Sequence, residues 1–151
     1  MADAKAPAAV ASQALRDAQV IAERVAADQA AAAEASARYA REGLPVMSDR
    51  AFDAVAQTGE RLHAVHRSAL LEPWAADQLG AQPVSGTLFL TSHRLVHAGP
   101  TTVAVSLDQI AGSLVALQRL VLIRLRDGTE LAVQVTQPHL LKVQIEAAQT
   151  S

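Results

Sequence analysis

The sequence predicts an α+β protein, mainly β, built as a rolled antiparallel sheet of about seven strands closed by a C-terminal helix and preceded by a long alanine-rich helix. Three observations predict it. An alanine-rich stretch occupies the first third of the chain, alternating apolar residues take over after position 59, and a helical stripe returns after Val135.

The first stretch, Pro7 to Glu42, contains no Gly and no Pro beyond its first residue. Alanine is the best helix former, so the stretch reads as one helix. Glu34 and Arg38 stand at i,i+4 in the favourable order, and Gly43 followed by Pro45 is a stop signal. A thin seam runs through Leu15, Ala18, Ala22, Val25, Ala32 and Tyr39, interrupted by Gln29 and Ser36. It suits either a coiled coil that self-associates or takes a partner helix through residues 8–42, or a solvated tail. Residues 1–45 therefore read as a helical extension and 46–58 as a short linker helix. There Ser48 is placed to N-cap Asp49 to Gln57, Phe52, Val55 and Ala56 form one apolar side, and Gly59 ends the helix.

Residues 59–151 read as the β-domain. Arg61 to Leu71 alternates loosely. Gly86 to Thr91 and Arg94 to His97 are short strands joined by a tight turn at Ser92-His93, and Gly99-Pro100 breaks the chain again. Thr102 to Leu107 puts Val103, Val105 and Leu107 on one face, and Ile110 to Val115 continues β character around Gly112. Leu120 to Val135 is a hairpin turning at Asp127-Gly128. A three-residue loop, Arg126 to Gly128, sets Ile123 against Leu131 and Val121 against Val133, with Arg124 opposite Glu130 as a charge pair. A two-residue loop would mix the faces. In the final helix, Thr136 is the expected N-cap, Pro138 fits the first turn, and Leu141, Ile145 and Ala148 form the stripe, with Leu140 and Val143 beside it.

Half of the 151 residues are apolar but only four are aromatic, so the core must be Leu, Val and Ile. With 13 basic and 15 acidic residues and neither part of the chain basic, nucleic-acid binding is not expected. The absence of cysteine excludes disulfides, thiolate zinc sites and cysteine nucleophiles. No apolar run approaches the roughly 20 residues that span a bilayer, and no signal peptide is evident, so the expected location is the cytoplasm.

The order Gly59-Glu60, then Gly86-Thr-Leu-Phe-Leu-Thr-Ser-His-Arg-Leu-Val-His97, Val105-Ser-Leu-Asp-Gln-Ile110, the Asp127-Gly128 hairpin and a last helix resembles the GRAM domains and their bacterial PH-like relatives. The resemblance spans positions 59 to 148. Its most specific part is Gly86, Leu88, Leu90, Thr91, Arg94 and Leu95. It implies a PH-like sheet and, as function, binding of lipid headgroups, peptides or proteins. The lipid-binding members carry basic residues after the first strand. Here Glu72 to Leu79 has none, so the resemblance does not extend to phosphoinositide recognition.

No motif signals catalysis. His63 with His66 would face opposite sides of a strand, and His93 with His97 lacks a nearby acid, so surface or turn histidines are expected rather than a metal site. Ser92-His93 and Ser106 with Asp108 are too generic for a nucleophile system, and no phosphate-binding glycine loop occurs. The expectation is an interaction module without enzymatic activity or cofactor, taking a protein or peptide. The alternative is peripheral membrane lipid-headgroup binding, a weak membrane surface contact, through loops near Trp74 and Arg94. Arg61, Arg67, Arg94, Arg124 and Arg126 are the bases expected on the sheet surface, either solvated or in weak ion pairs with Glu60 or Glu130. The candidate binding surface is Arg67, Trp74, His93 and Arg94.

Overall fold

The computed structural model describes residues 6–71 and 83–150. The order is α1 (Ala6–Glu42), α2 (Arg50–Asp53), β1 (Leu62–Leu71), β2 (Val84–Thr91), β3 (Arg94–Ala98), β4 (Thr102–Ser106), a single 3-10 turn at Leu107–Gln109, β5 (Ile110–Ala116), β6 (Leu120–Leu125), β7 (Glu130–Val135) and α3 (Pro138–Gln149). The seven strands form one antiparallel sheet in the order β4-β3-β2-β1-β7-β6-β5. The chain is α+β and mainly β, as its periodicity predicts.

β1 organises the sheet. It pairs with β2 from Leu62 to Leu70, and its last four residues, Ser68 to Leu71, also pair with β7. The sheet closes on itself: Leu95 and Val105 from one half share a core with Ile123 and Val133 from the other. Leu141, Ile145 and Ala148 of α3 plug the open end of that core. The sheet's outer side holds a second cluster. Phe89 and Val96 meet Phe52 of α2, with the two rings 5.6 Å apart and tilted by 52°. β2 is therefore covered on both faces where Leu88, Phe89 and Leu90 follow one another.

The hairpin register follows from side-chain parity. Ile123 pairs with Leu131, Val121 with Val133, and Arg124 with Glu130, their charged groups 3.5 Å apart. Leu125 donates its N–H to the Thr129 carbonyl, closing a three-residue loop in which Gly128 has φ +92°. Gly86 has a different reason: a Cβ there would run into the Ala98 carbonyl oxygen of β3.

Three local expectations are corrected. The linker helix is one turn, not nine residues, and Asp49 rather than Ser48 caps it, accepting from the Phe52 N–H at 3.1 Å. Thr136 does not cap α3: the helix begins at Pro138 and its own N-cap residue, Gln137, makes no side-chain bond. The histidines of β1 and β3 are not at the surface. His63, His66 and His97 are buried, and only His93 of those four is exposed. His63 Nδ1 lies 2.7 Å from the Pro45 carbonyl, anchoring the segment before α2.

Candidate functional site

α1 holds 37 residues and, at 1.5 Å per residue, spans about 55 Å. Its second half belongs to the folded body. Asp28, Ala32, Ala35 and Tyr39 are buried at alternating spacings of four and three, and this row lies against α3. The small alanines let the helices approach closely. Gln29 and Ser36, which interrupted the sequence-derived seam, are exposed, and Asp28 and Ala35 take their places.

Asp28 explains how α3 starts. Its carboxylate accepts from the backbone N–H of His139 at 2.8 Å and of Leu140 at 3.1 Å, so a residue of α1 caps α3. The negative charge also faces the positive end of the α3 dipole. Further along, His66 Nε2 donates to Gln144 Oε1 at 2.7 Å, and Gln144 Nε2 donates to the Tyr39 hydroxyl at 3.4 Å. β1, α3 and α1 are thereby joined by one buried polar chain. Burial holds the His66 imidazole below the usual histidine range, against the opposing pull of its bond to Gln144 and of the Asp28 charge. Asp28→Ala is expected to cost about 2 kcal/mol, since it removes a cap and leaves buried N–H groups unpaired. Urea unfolding measures the loss, and faster amide exchange at His139 and Leu140 locates it.

Asp28 meets the first turn of α3 while Tyr39 meets its middle, so the two helices run side by side in one direction. The half of α1 before Val25 therefore projects past the start of α3 by roughly 28 Å. The face that grips α3 continues along this overhang through Ile21 and Val10, which are 58% and 69% exposed. Beneath it lies a cleft of about 640 Å³. Ile21, Arg24 and Val25 form the roof, Arg67 and Ser68 of β1 one wall, and Leu117 and Arg119 of the β5–β6 turn another.

That turn is unusual. Leu117 and Gln118 both have positive φ, 55° and 56°, and Leu117 leaves its side chain 73% exposed at the cleft. A turn of this kind ordinarily takes Asn or Gly, and leucine in the left-handed region costs about 1–2 kcal/mol. Gln118 Oε1 lies 2.7 Å from His139 Nε2, tying the turn to the start of α3.

Arg24, Arg67 and Arg119 line this cleft, and none of the three forms an ion pair among the described residues. Asp28 is the one acid in the lining, and both its oxygens accept from α3.

The three described candidate residues from the sequence, Arg67, His93 and Arg94, do not converge. Arg67 lies in the cleft. Arg94 sits at the far end of the sheet and turns inward, with Nε 2.8 Å from Glu60 Oε2, and Nη2 3.1 Å from Glu60 Oε1 and 2.6 Å from the Val55 carbonyl. Thr91 adds a hydroxyl donor to Glu60 at 2.6 Å. The Thr91 and Arg94 positions that carry the family resemblance are thus joined as a clamp between the β2–β3 turn and the chain entering β1. His93 is exposed beside a separate depression that Asp108 and Arg126 also line. Trp74 lies outside the described residues. Arg24 and Arg119 were not singled out from sequence. Arg24 has the pattern of a solvated helix face, and Arg119 lies in a turn that lacks the usual turn residues.

The described residues contain no group of three or more His, Cys, Asp or Glu arranged to hold a metal ion. No described helix is long and apolar enough to cross a membrane. No family model matches the chain, and no curated protein matches it. It is similar in fold to the crystal structure of the C-terminal domain of an unknown protein from Leishmania infantum. The TM-score is 0.54 at 14% identity, covering 68% of this chain and 94% of that one. At that identity the likeness is one of fold alone.

Proposed function

We propose that the protein is a non-catalytic interaction module of the PH-like kind, and that it holds a segment of a partner protein in the cleft beneath the overhanging half of α1. The strand order, the terminal helix and the residue pattern from Gly59 to Ala148 support the PH-like assignment. The observation that carries the docking reading is the α1 face itself. It buries against α3 from Asp28 onward, then continues over an open cleft with Ile21 exposed. A strained turn that presents Leu117 to the same space adds to it, because local strain gathers where a site needs a particular side chain. The exposed Leu15 and Val20 on other faces of the overhang favour a second reading, self-association through α1.

The test is selection of peptides from a random library on the full chain. Selected peptides are expected to lose at least about tenfold in affinity on Ile21→Asp or Leu117→Asp, as for truncation of an apolar anchor. They are expected to keep their affinity on Leu114→Asp, an exposed β5 residue outside the cleft. Failure to select any binder, or binders indifferent to Ile21 and Leu117, removes the docking reading. A dimer by light scattering that Leu15→Asp dissolves would replace it with the second.

A further inference from the structure

We infer that the segment taken by this cleft is acidic and amphipathic, a peptide stretch presenting carboxylates beside apolar side chains; this rests on the docking reading above. Arg24, Arg67 and Arg119 line one cleft, and the one acid in that lining, Asp28, has both oxygens engaged by the α3 backbone. Outside the cleft, Arg94 pairs with Glu60, Arg124 with Glu130 and Arg38 with Glu34. The arginines that form no ion pair there among the described residues, such as Arg16, Arg41 and Arg61, are spread along the chain rather than gathered on one depression. The chain as a whole carries a net charge of −2, so the positive cleft is a local departure rather than a reflection of composition. Arginine suits the task, because its planar fork matches a carboxylate bidentately.

The remaining lining decides between carboxylate sources. Ile21, Val25 and Leu117 stand among the arginines, so a free anion would leave apolar surface uncovered while an amphipathic segment covers it. The cleft is concave and roofed by α1, a shape a planar bilayer surface does not enter.

The probe is a labelled helical peptide of Ala and Leu with Glu along one flank, compared by fluorescence anisotropy on the full chain with the same peptide carrying Gln. The Glu peptide is expected to bind about tenfold more tightly at low salt, with the advantage shrinking as ionic strength rises. Arg24→Ala, Arg67→Ala and Arg119→Ala are each expected to weaken the Glu peptide about three- to tenfold and leave the Gln peptide unchanged, and Arg61→Ala, exposed outside the cleft, should change neither. Equal binding of both peptides, lost together in Ile21→Asp, overturns the acidic preference and leaves the docking reading standing. Absence of binding by either peptide overturns the inference, and the library selection then decides the docking reading separately. Arginine-dependent binding to phosphatidylserine vesicles in place of the Glu peptide overturns it in favour of a membrane. A dimer that disappears in Ile21→Asp overturns it in favour of a second copy.

Discussion

Arg94→Ala is expected to lower the unfolding free energy by about 3–5 kcal/mol, because it strands the Glu60 carboxylate, whose side chain is fully enclosed, without its counter-charge. The Val55 carbonyl loses its guanidinium donor at the same time. Burial pushes the Glu60 carboxyl up. The bonds from Arg94 and Thr91, the Gln57 backbone N–H and the Arg94 charge outweigh burial and hold it at about 2, against a usual value of 4.5. A carboxyl whose folded value is depressed contributes stability that is fully present above its unfolded value. That contribution is lost as pH falls from 4.5 toward 2. Urea midpoints of the native chain should therefore fall across that window. In Arg94→Ala burial is opposed by fewer bonds, so the acid-dependent loss should shrink or reverse. A variant as stable as the native chain at neutral pH would show that the clamp is dispensable.

Leu141→Ala should cost about 3 kcal/mol, within the range for deleting a buried leucine from a packed core. Leu141 is completely inaccessible and belongs to the cluster that receives residues of all seven strands from the inner side of the sheet. A cavity there also loosens α3, whose first turn is held by Asp28 and whose middle carries Gln144. The loss should appear in urea unfolding together with faster exchange of the α3 amides. A change under 1 kcal/mol would mean that α3 collapses into the gap and that the plug is plastic.

Elements governed by local pattern are legible in the sequence. The β6–β7 register is fixed by parity, because a slip of one residue would bury Arg124 and expose Ile123. The α3 stripe is equally plain, since Leu141, Ile145 and Ala148 repeat at helical spacing. What escapes pattern is whatever depends on a distant partner. Asp28 looks like a solvated acid until the start of α3 is laid against it. Alanines 32 and 35 carry too little hydrophobic contrast to mark the buried side of α1, so a seam shifted at alternate positions reads as well. The β5–β6 turn is hidden because Leu117 and Gln118 occupy positions where Gly or Asn would have announced it. Of the cleft, Arg67 could be singled out, but its convergence with Arg24 and Arg119 depends on where α1 docks. Glu60 and Arg94 stood in one sequence pattern, yet their mutual engagement required the chain crossing that brings residue 60 to the β2–β3 turn.

The cap donated by Asp28 to His139 joins positions 111 residues apart. A ribosome delivers the alanine-rich helix early, and that helix must wait through the synthesis of every strand before the group that needs its carboxylate emerges. Until then a buried-to-be acid and the row beside it stand open to solvent and to chaperones. Closure of this long loop is correspondingly a late event, and slow assembly is the kinetic signature that goes with contacts so remote along the chain.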